Sequence, residues 1–108
     1  MRKPVTEILP RPMTIDEFTP LVGQEFEVDC TPATAIIRLV EATPLRDLGI
    51  SDRPPFILVF RSAPEMMLID GLYTLRSGSF GPAAIGIGSM VAPIGGAPGH
   101  YYYQSIFN

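Results

Sequence analysis

Ala84-Ile85-Gly86-Ile87-Gly88-Ser89-Met90-Val91 is the stretch whose reading decides the fold. In an extended chain the side chains alternate between faces. Ile85, Ile87, Ser89 and Val91 therefore share one side, and Gly86, Gly88 and Met90 the other. One face is apolar and mostly β-branched, and the other is nearly bare backbone. Two glycines on one face of a strand lose packing and add unfolded-state entropy unless something closes over them. The expectation is a central strand whose bare face is tightly covered. The candidate covers are an aromatic ring of the last strand, Tyr101 or Tyr103, or the apolar side of an N-terminal helix.

Working outward, Gly71–Arg76 precedes this stretch and Tyr101–Phe107 follows it, each with strand-like composition. Gly95-Gly96-Ala97-Pro98-Gly99 reads as the hairpin loop joining the last two strands. Upstream, Phe56–Phe60 is apolar on both faces, as a central strand is. Gln24–Cys30 alternates cleanly: Phe26, Val28 and Cys30 point inward, and Glu25, Glu27 and Asp29 form an acidic outer face. Thr31-Pro32 turns the chain into a strand over Thr34–Ala42. Thr43–Pro55 reads as a long loop and Ser62–Asp70 as a connector. These six short strands predict a mainly all-β fold, a small six-stranded antiparallel barrel or sandwich. No helical pattern separates parallel strands, which argues against an α/β architecture.

Met13-Thr14-Ile15-Asp16-Glu17-Phe18 carries the one good helix-start signal. Thr14 and Glu17 make a capping box, and Met13 with Phe18 a hydrophobic staple. Pro20 and Gly23 stop the helix after one to two turns. Residues 1–12, with Pro4, Pro10 and Pro12, predict an extended or mobile arm. Residues 13–108 then form a single β-rich domain, with Met13 an alternative start.

The chain has 108 residues, 46% hydrophobic and 18% charged, enough apolar material for one core and too little charge for a disordered segment. A net charge of −3 with scattered cations argues against a nucleic-acid footprint. No run reaches the roughly 18 apolar residues a spanning helix needs, so no membrane role is expected. The early cations lack the apolar core of a secretory signal, so the expected location is cytoplasmic.

Candidate chemistry is sparse. Cys30, the lone cysteine, would need a basic partner to act as a nucleophile, and His100 is the lone histidine. The inward parity of Cys30 favours a plain buried thiol, and the glycine-proline setting of His100 a solvated loop residue. No spacing supplies four zinc ligands, and the glycines lack both the Lys-Ser of a phosphate loop and the third glycine of a dinucleotide fingerprint. Glu25, Glu27 and Asp29 lack the order of a calcium loop. No cofactor, metal or catalytic residue is therefore expected. Tyr101, Tyr102 and Tyr103, with His100, form the candidate binding surface, the rings being able to stack on a sugar or base. Parity puts Tyr102 opposite the other two, so at least one ring belongs to the core. Arg38, Arg61 and Arg76 each lie in or at the end of an apolar strand, as ion-pair partners or as an anion site.

Phe18-Thr19-Pro20-Leu21-Val22-Gly23-Gln24-Glu25-Phe26-Glu27-Val28 resembles the opening of a small bacterial family known as a domain of unknown function, the 6916 type. The resemblance continues through Leu39–Ala42, Pro55–Arg61, Gly71–Leu75 and Ala92–Gly95 to Tyr103–Asn108, covering about Met13 to Asn108. It implies a compact β-rich domain, encoded near phage tail-collar-like proteins, and brings no catalytic residues. The chain departs from it in the arm before Met13 and at Gly86 and Gly88, where larger residues are usual.

Two functions are expected from these readings. The first is a non-enzymatic protein-interaction module, accessory to a phage-tail-like or surface assembly, whose partner is another protein or a second copy of this chain. The alternative is a small-ligand or carbohydrate-binding β-domain using Tyr101–Tyr103.

Overall fold

The computed structural model describes residues 2–4, 8–46, 49 and 54–108. Parts of the expected arm (Met1 and residues 5–7) and of the expected Thr43–Pro55 loop (47, 48 and 50–53) lie outside the described residues. The strands are β1 (Lys3–Pro4), β2 (Glu25–Thr31), β3 (Ala35–Pro44), β4 (Phe56–Ser62), β5 (Gly71–Ser77), β6 (Phe80–Met90) and β7 (Tyr101–Phe107). Order runs β2-β3-β4-β7-β6-β5, and β5 pairs back onto β2 at Glu27↔Arg76, Val28↔Leu75 and Asp29↔Thr74. The result is a closed six-stranded antiparallel barrel, with β1 as an extra strand on β2. Closure leaves no sheet edge within the barrel and selects a barrel over a sandwich.

A barrel this small is filled by side chains. Val28, Leu39, Leu58, Leu75 and Ile85 are fully buried in its core. All six phenylalanines of the chain join one run of ring contacts. It passes from Phe60 to Phe26 (5.4 Å), to Phe80 (5.9 Å) and to Phe18 (5.1 Å). Phe18 ends it against Phe56 and Phe107, which stack on each other at 4.4 Å. Centroid separations of 4.5–7 Å with tilted planes are the favoured arrangement for aromatic pairs.

Each end of the barrel is stoppered. At one end the N-terminal helical segment is two consecutive 3₁₀ turns, Ile15–Glu17 and Thr19–Leu21, rather than one continuous helix. Pro20 lacks the N–H to extend the first turn, so the chain starts a second. The capping box is present, with the Glu17 carboxylate accepting the Thr14 backbone N–H at 2.9 Å. These turns seat Phe18, with no exposed surface, in the barrel mouth. At the other end the connector between β4 and β5 inserts Leu68, equally buried. Arg2 lies beside that connector, its N–H bonding the Met67 carbonyl at 2.8 Å and its carbonyl accepting from Ile69 at 3.1 Å.

The covered-glycine expectation is overturned. A Cβ on Gly86 would have nothing within 4 Å, and one on Gly88 would meet only Gln104 O at 3.9 Å and Asp70 Oδ2 at 4.0 Å. The reason is topological. A closed barrel has one inside, and Ile85 and Ile87 occupy it, so the glycine face is the outer wall. The N-terminal turns close a mouth instead of a wall, and Tyr103 points into the core. The close approach occurs elsewhere: at Gly81, φ is +90° and a Cβ would stand 2.5 Å from the Leu75 carbonyl oxygen.

Candidate functional site

The ten-residue connection after β6 decides where the conspicuous aromatics go. Pro93-Ile94-Gly95-Gly96 closes with a Gly96 N–H to Pro93 carbonyl bond of 2.9 Å and Gly95 at φ +82°. Ala97-Pro98-Gly99-His100 repeats the pattern, with the His100 N–H on the Ala97 carbonyl at 3.4 Å and Gly99 at φ +79°. Both have the signature of a type II turn, which requires positive φ at its third residue. Tyr102 staples the pair: its hydroxyl accepts the Ala97 N–H at 2.7 Å. Gly96 lets the ring approach, since a Cβ there would meet the hydroxyl at 2.9 Å. The loop is thus held, and it holds apolar side chains outward. Ile94 is fully exposed and Val91 is 89% exposed.

The tyrosines divide between fold and surface. Tyr103 is buried inside the barrel, where its hydroxyl accepts the Leu68 N–H at 3.0 Å and contacts Ser62 Oγ at 2.9 Å. Ser62 Oγ in turn donates to the Met66 carbonyl at 2.8 Å, so the Tyr103 proton is the one shared with Ser62. Tyr102 is buried beneath the loop. Only Tyr101, 39% exposed, keeps a ring at the surface. The three therefore do not present one stacking platform.

His100 is half-buried where the loop meets β7, with Nδ1 3.1 Å from the Ser62 carbonyl oxygen. A carbonyl only accepts, so Nδ1 carries the proton. Cys30 is buried, and its thiol donates to the Ala33 carbonyl at 3.2 Å. Burial raises its pKa, against a smaller opposing pull from Arg2. No hydrogen bond among the described residues links Cys30 to His100. No group of three His, Cys, Asp or Glu that could hold a metal occurs among the described residues. No helix among them is long and apolar enough to cross a membrane.

The three strand arginines have different fates. Arg76 pairs with Asp29 at 2.9 Å and lies 4.0 Å from Glu27. Arg38 reaches Glu25 at 3.5 Å and donates to the Gly23 carbonyl. The Arg61 side chain has no hydrogen bond or ion pair among the described residues. It stands directly opposite Arg38 across β3 and β4, and opposite Tyr102 across β4 and β7. These two arginines line an open cleft of about 290 Å³ with Glu25, Ile36, Ala63 and His100. A second cleft, of about 320 Å³, opens where Pro10–Met13 pass Phe56 and Phe107, and its Arg11 is committed to Glu17 at 2.7 Å. The candidate site is therefore the β6–β7 loop with the adjoining Arg38–Arg61 cleft. In the sequence, His100 and Arg61 are separate candidates, one in a loop and one at a strand end. Their proximity arises from strand order, and no local pattern signals it. Val91 and Ile94 were missed, though two apolar residues around a proline in a glycine-rich loop are a legible signal.

A family model described as "Domain of unknown function (DUF6916)" matches residues 13–107. No curated protein and no solved structure matches the chain.

Proposed function

The chain belongs to the DUF6916 domain family, and from that premise we propose that it is a non-enzymatic protein-interaction module that engages its partner through the β6–β7 loop. The observation that carries the reading is the pair of exposed side chains, Val91 and Ile94, on a loop stapled by Tyr102. Water-exposed Ile and Val on an ordered loop cost solvation in the free protein and are ready-made anchors, with little conformational entropy left to lose on binding. The barrel interior supports the same reading, being occupied by core side chains and stoppered by Phe18 and Leu68. The setting is a phage-tail-like or surface assembly, as the family resemblance implies, with assembly on the cytoplasmic side.

The test is a charge placed at the anchor. Ile94→Asp should leave the urea midpoint within experimental error, because the side chain touches no core. Proteins co-purifying with the tagged wild-type chain should be lost from the Ile94→Asp chain. Sedimentation of the purified protein distinguishes a second copy from a different protein as partner. Co-purification unchanged by both Ile94→Asp and Val91→Asp would overturn the reading.

A further inference from the structure

We propose that the Arg38–Arg61 cleft is a carboxylate-binding site that receives an acidic side chain of the partner protein, an inference that rests on the interaction-module reading and names its partner's chemistry. Arg38 on β3 and Arg61 on β4 are direct cross-strand partners, and both point to the outer wall. Like charges at directly opposed positions, with Cβ atoms about 5 Å apart, destabilise a sheet. The molecule relieves one of the two, Arg38, through Glu25 and the Gly23 carbonyl. Arg61 is left half-buried and without an acceptor among the described residues. The same fold shows how such a cation is otherwise treated: Arg76, on the outer face of β5, has Asp29 at 2.9 Å.

The charge of the cleft selects the ligand. Two arginines against Glu25 leave one formal positive charge, which suits a monoanion better than a phosphate dianion. Guanidinium groups bind carboxylates through paired N–H···O bonds, and an incoming carboxylate would supply Arg61 with the acceptors it lacks. Beside the arginines, Ile36 is 47% exposed and offers apolar contact for the stem of the same side chain. Position ties the cleft to the loop. His100 ends the loop and lines the cleft, and Tyr102, opposite Arg61, staples the loop. The loop that carries Ile94 and Val91 thus adjoins the cleft at His100 and Tyr102, so that one partner can engage both.

The experiment is a titration of the ¹⁵N-labelled full chain with N-acetyl-aspartate amide, read at the arginine Nε–H and His100 resonances. N-acetyl-asparagine amide and inorganic phosphate are run in parallel. The aspartate compound should shift Arg61 and Arg38 saturably, with Arg76 unmoved, and the asparagine compound should not. Arg61→Gln should weaken the binding by about tenfold, judged by the Arg38 signal, as loss of charged hydrogen bonds does. Arg61→Lys should restore it only in part, since an ammonium keeps charge but not the paired geometry. Absence of saturable shifts, or equal shifts with the asparagine compound, overturns the proposal. Tighter binding of phosphate overturns the choice of a carboxylate. The two readings also fail separately. Partner capture lost with Ile94→Asp yet unchanged with Arg61→Gln sinks the carboxylate site alone, whereas capture indifferent to Ile94, Val91 and Arg61 sinks the module.

Discussion

The phenolic oxygen of Tyr103 accepts the backbone N–H of Leu68 at 3.0 Å inside the barrel. That contact ties the last strand to the connector that stoppers one end, across 35 positions of chain. The Leu68 N–H is buried, so removing its acceptor leaves a donor without a partner. Tyr103→Phe should cost about 1–3 kcal/mol in urea unfolding. Tyr101→Phe, at a partly exposed ring, should stay within about 0.5 kcal/mol of the parent. Equal effects at the two positions would contradict the network.

The glycine stripe yields a pair of opposite expectations. Gly86 has open space outside it, so Gly86→Ala should be neutral or stabilise by about 0.4–1 kcal/mol by narrowing the unfolded ensemble. Gly81 has φ +90° and the Leu75 carbonyl 2.5 Å from any added Cβ, so Gly81→Ala should destabilise by more than about 1 kcal/mol. Thermal melts of the two variants check both signs.

Cys30 is buried and its thiol pKa is raised, first by burial. Thiolate is the reacting form, so native labelling by a thiol reagent should be far slower than in urea at the same pH. It should quicken as pH rises toward the displaced value. Native labelling at the unfolded rate would mean an open, activated thiol.

Tyr73 donates its hydroxyl proton to the Ile69 carbonyl at 2.5 Å, and burial pushes its pKa up to about 12 from 10.0. The folded value lies above the unfolded one, so this contribution to stability is complete below pH 10 and is lost as pH rises toward 12. Urea midpoints of the wild type should therefore fall more steeply over that window than those of Tyr73→Phe. Parallel curves would remove Tyr73 as the source.

Glu17 accepts from Thr14 at 2.9 Å and pairs with Arg11 at 2.7 Å, and the Arg11 hydrogen bond is the main reason its pKa is lowered. Glu17→Ala should cost roughly 1 kcal/mol near neutral pH, the ion pair being partly exposed. A lowered folded pKa makes that difference present above the ordinary value of 4.5 and lost as pH falls through the folded one. A penalty that does not shrink in acid would assign it to packing instead.

Much of this protein is legible in one dimension. Alternation along Glu25–Cys30 placed Phe26 and Val28 inside and Glu25 and Glu27 outside, because side-chain parity in a strand is local geometry. Thr14 and Glu17 marked the start of the helical segment for the same reason: a cap closes within four residues. Parity also separated Ile85 and Ile87 from Gly86 and Gly88 correctly. What lay over the glycines did not follow, because whether a strand has two neighbours in depth or one depends on closure. Only the pairing of β5 with β2 rolls the sheet into a barrel and turns Gly86 to the outside. The fate of the tyrosines was equally non-local. Tyr103 is set by Leu68 and Ser62, and Tyr102 by a loop that folds back over it. The facing pair Arg38 and Arg61, 23 positions apart, exists because β3 and β4 are neighbours in that register, and a charge sequence cannot announce what cross-strand pairing alone brings together.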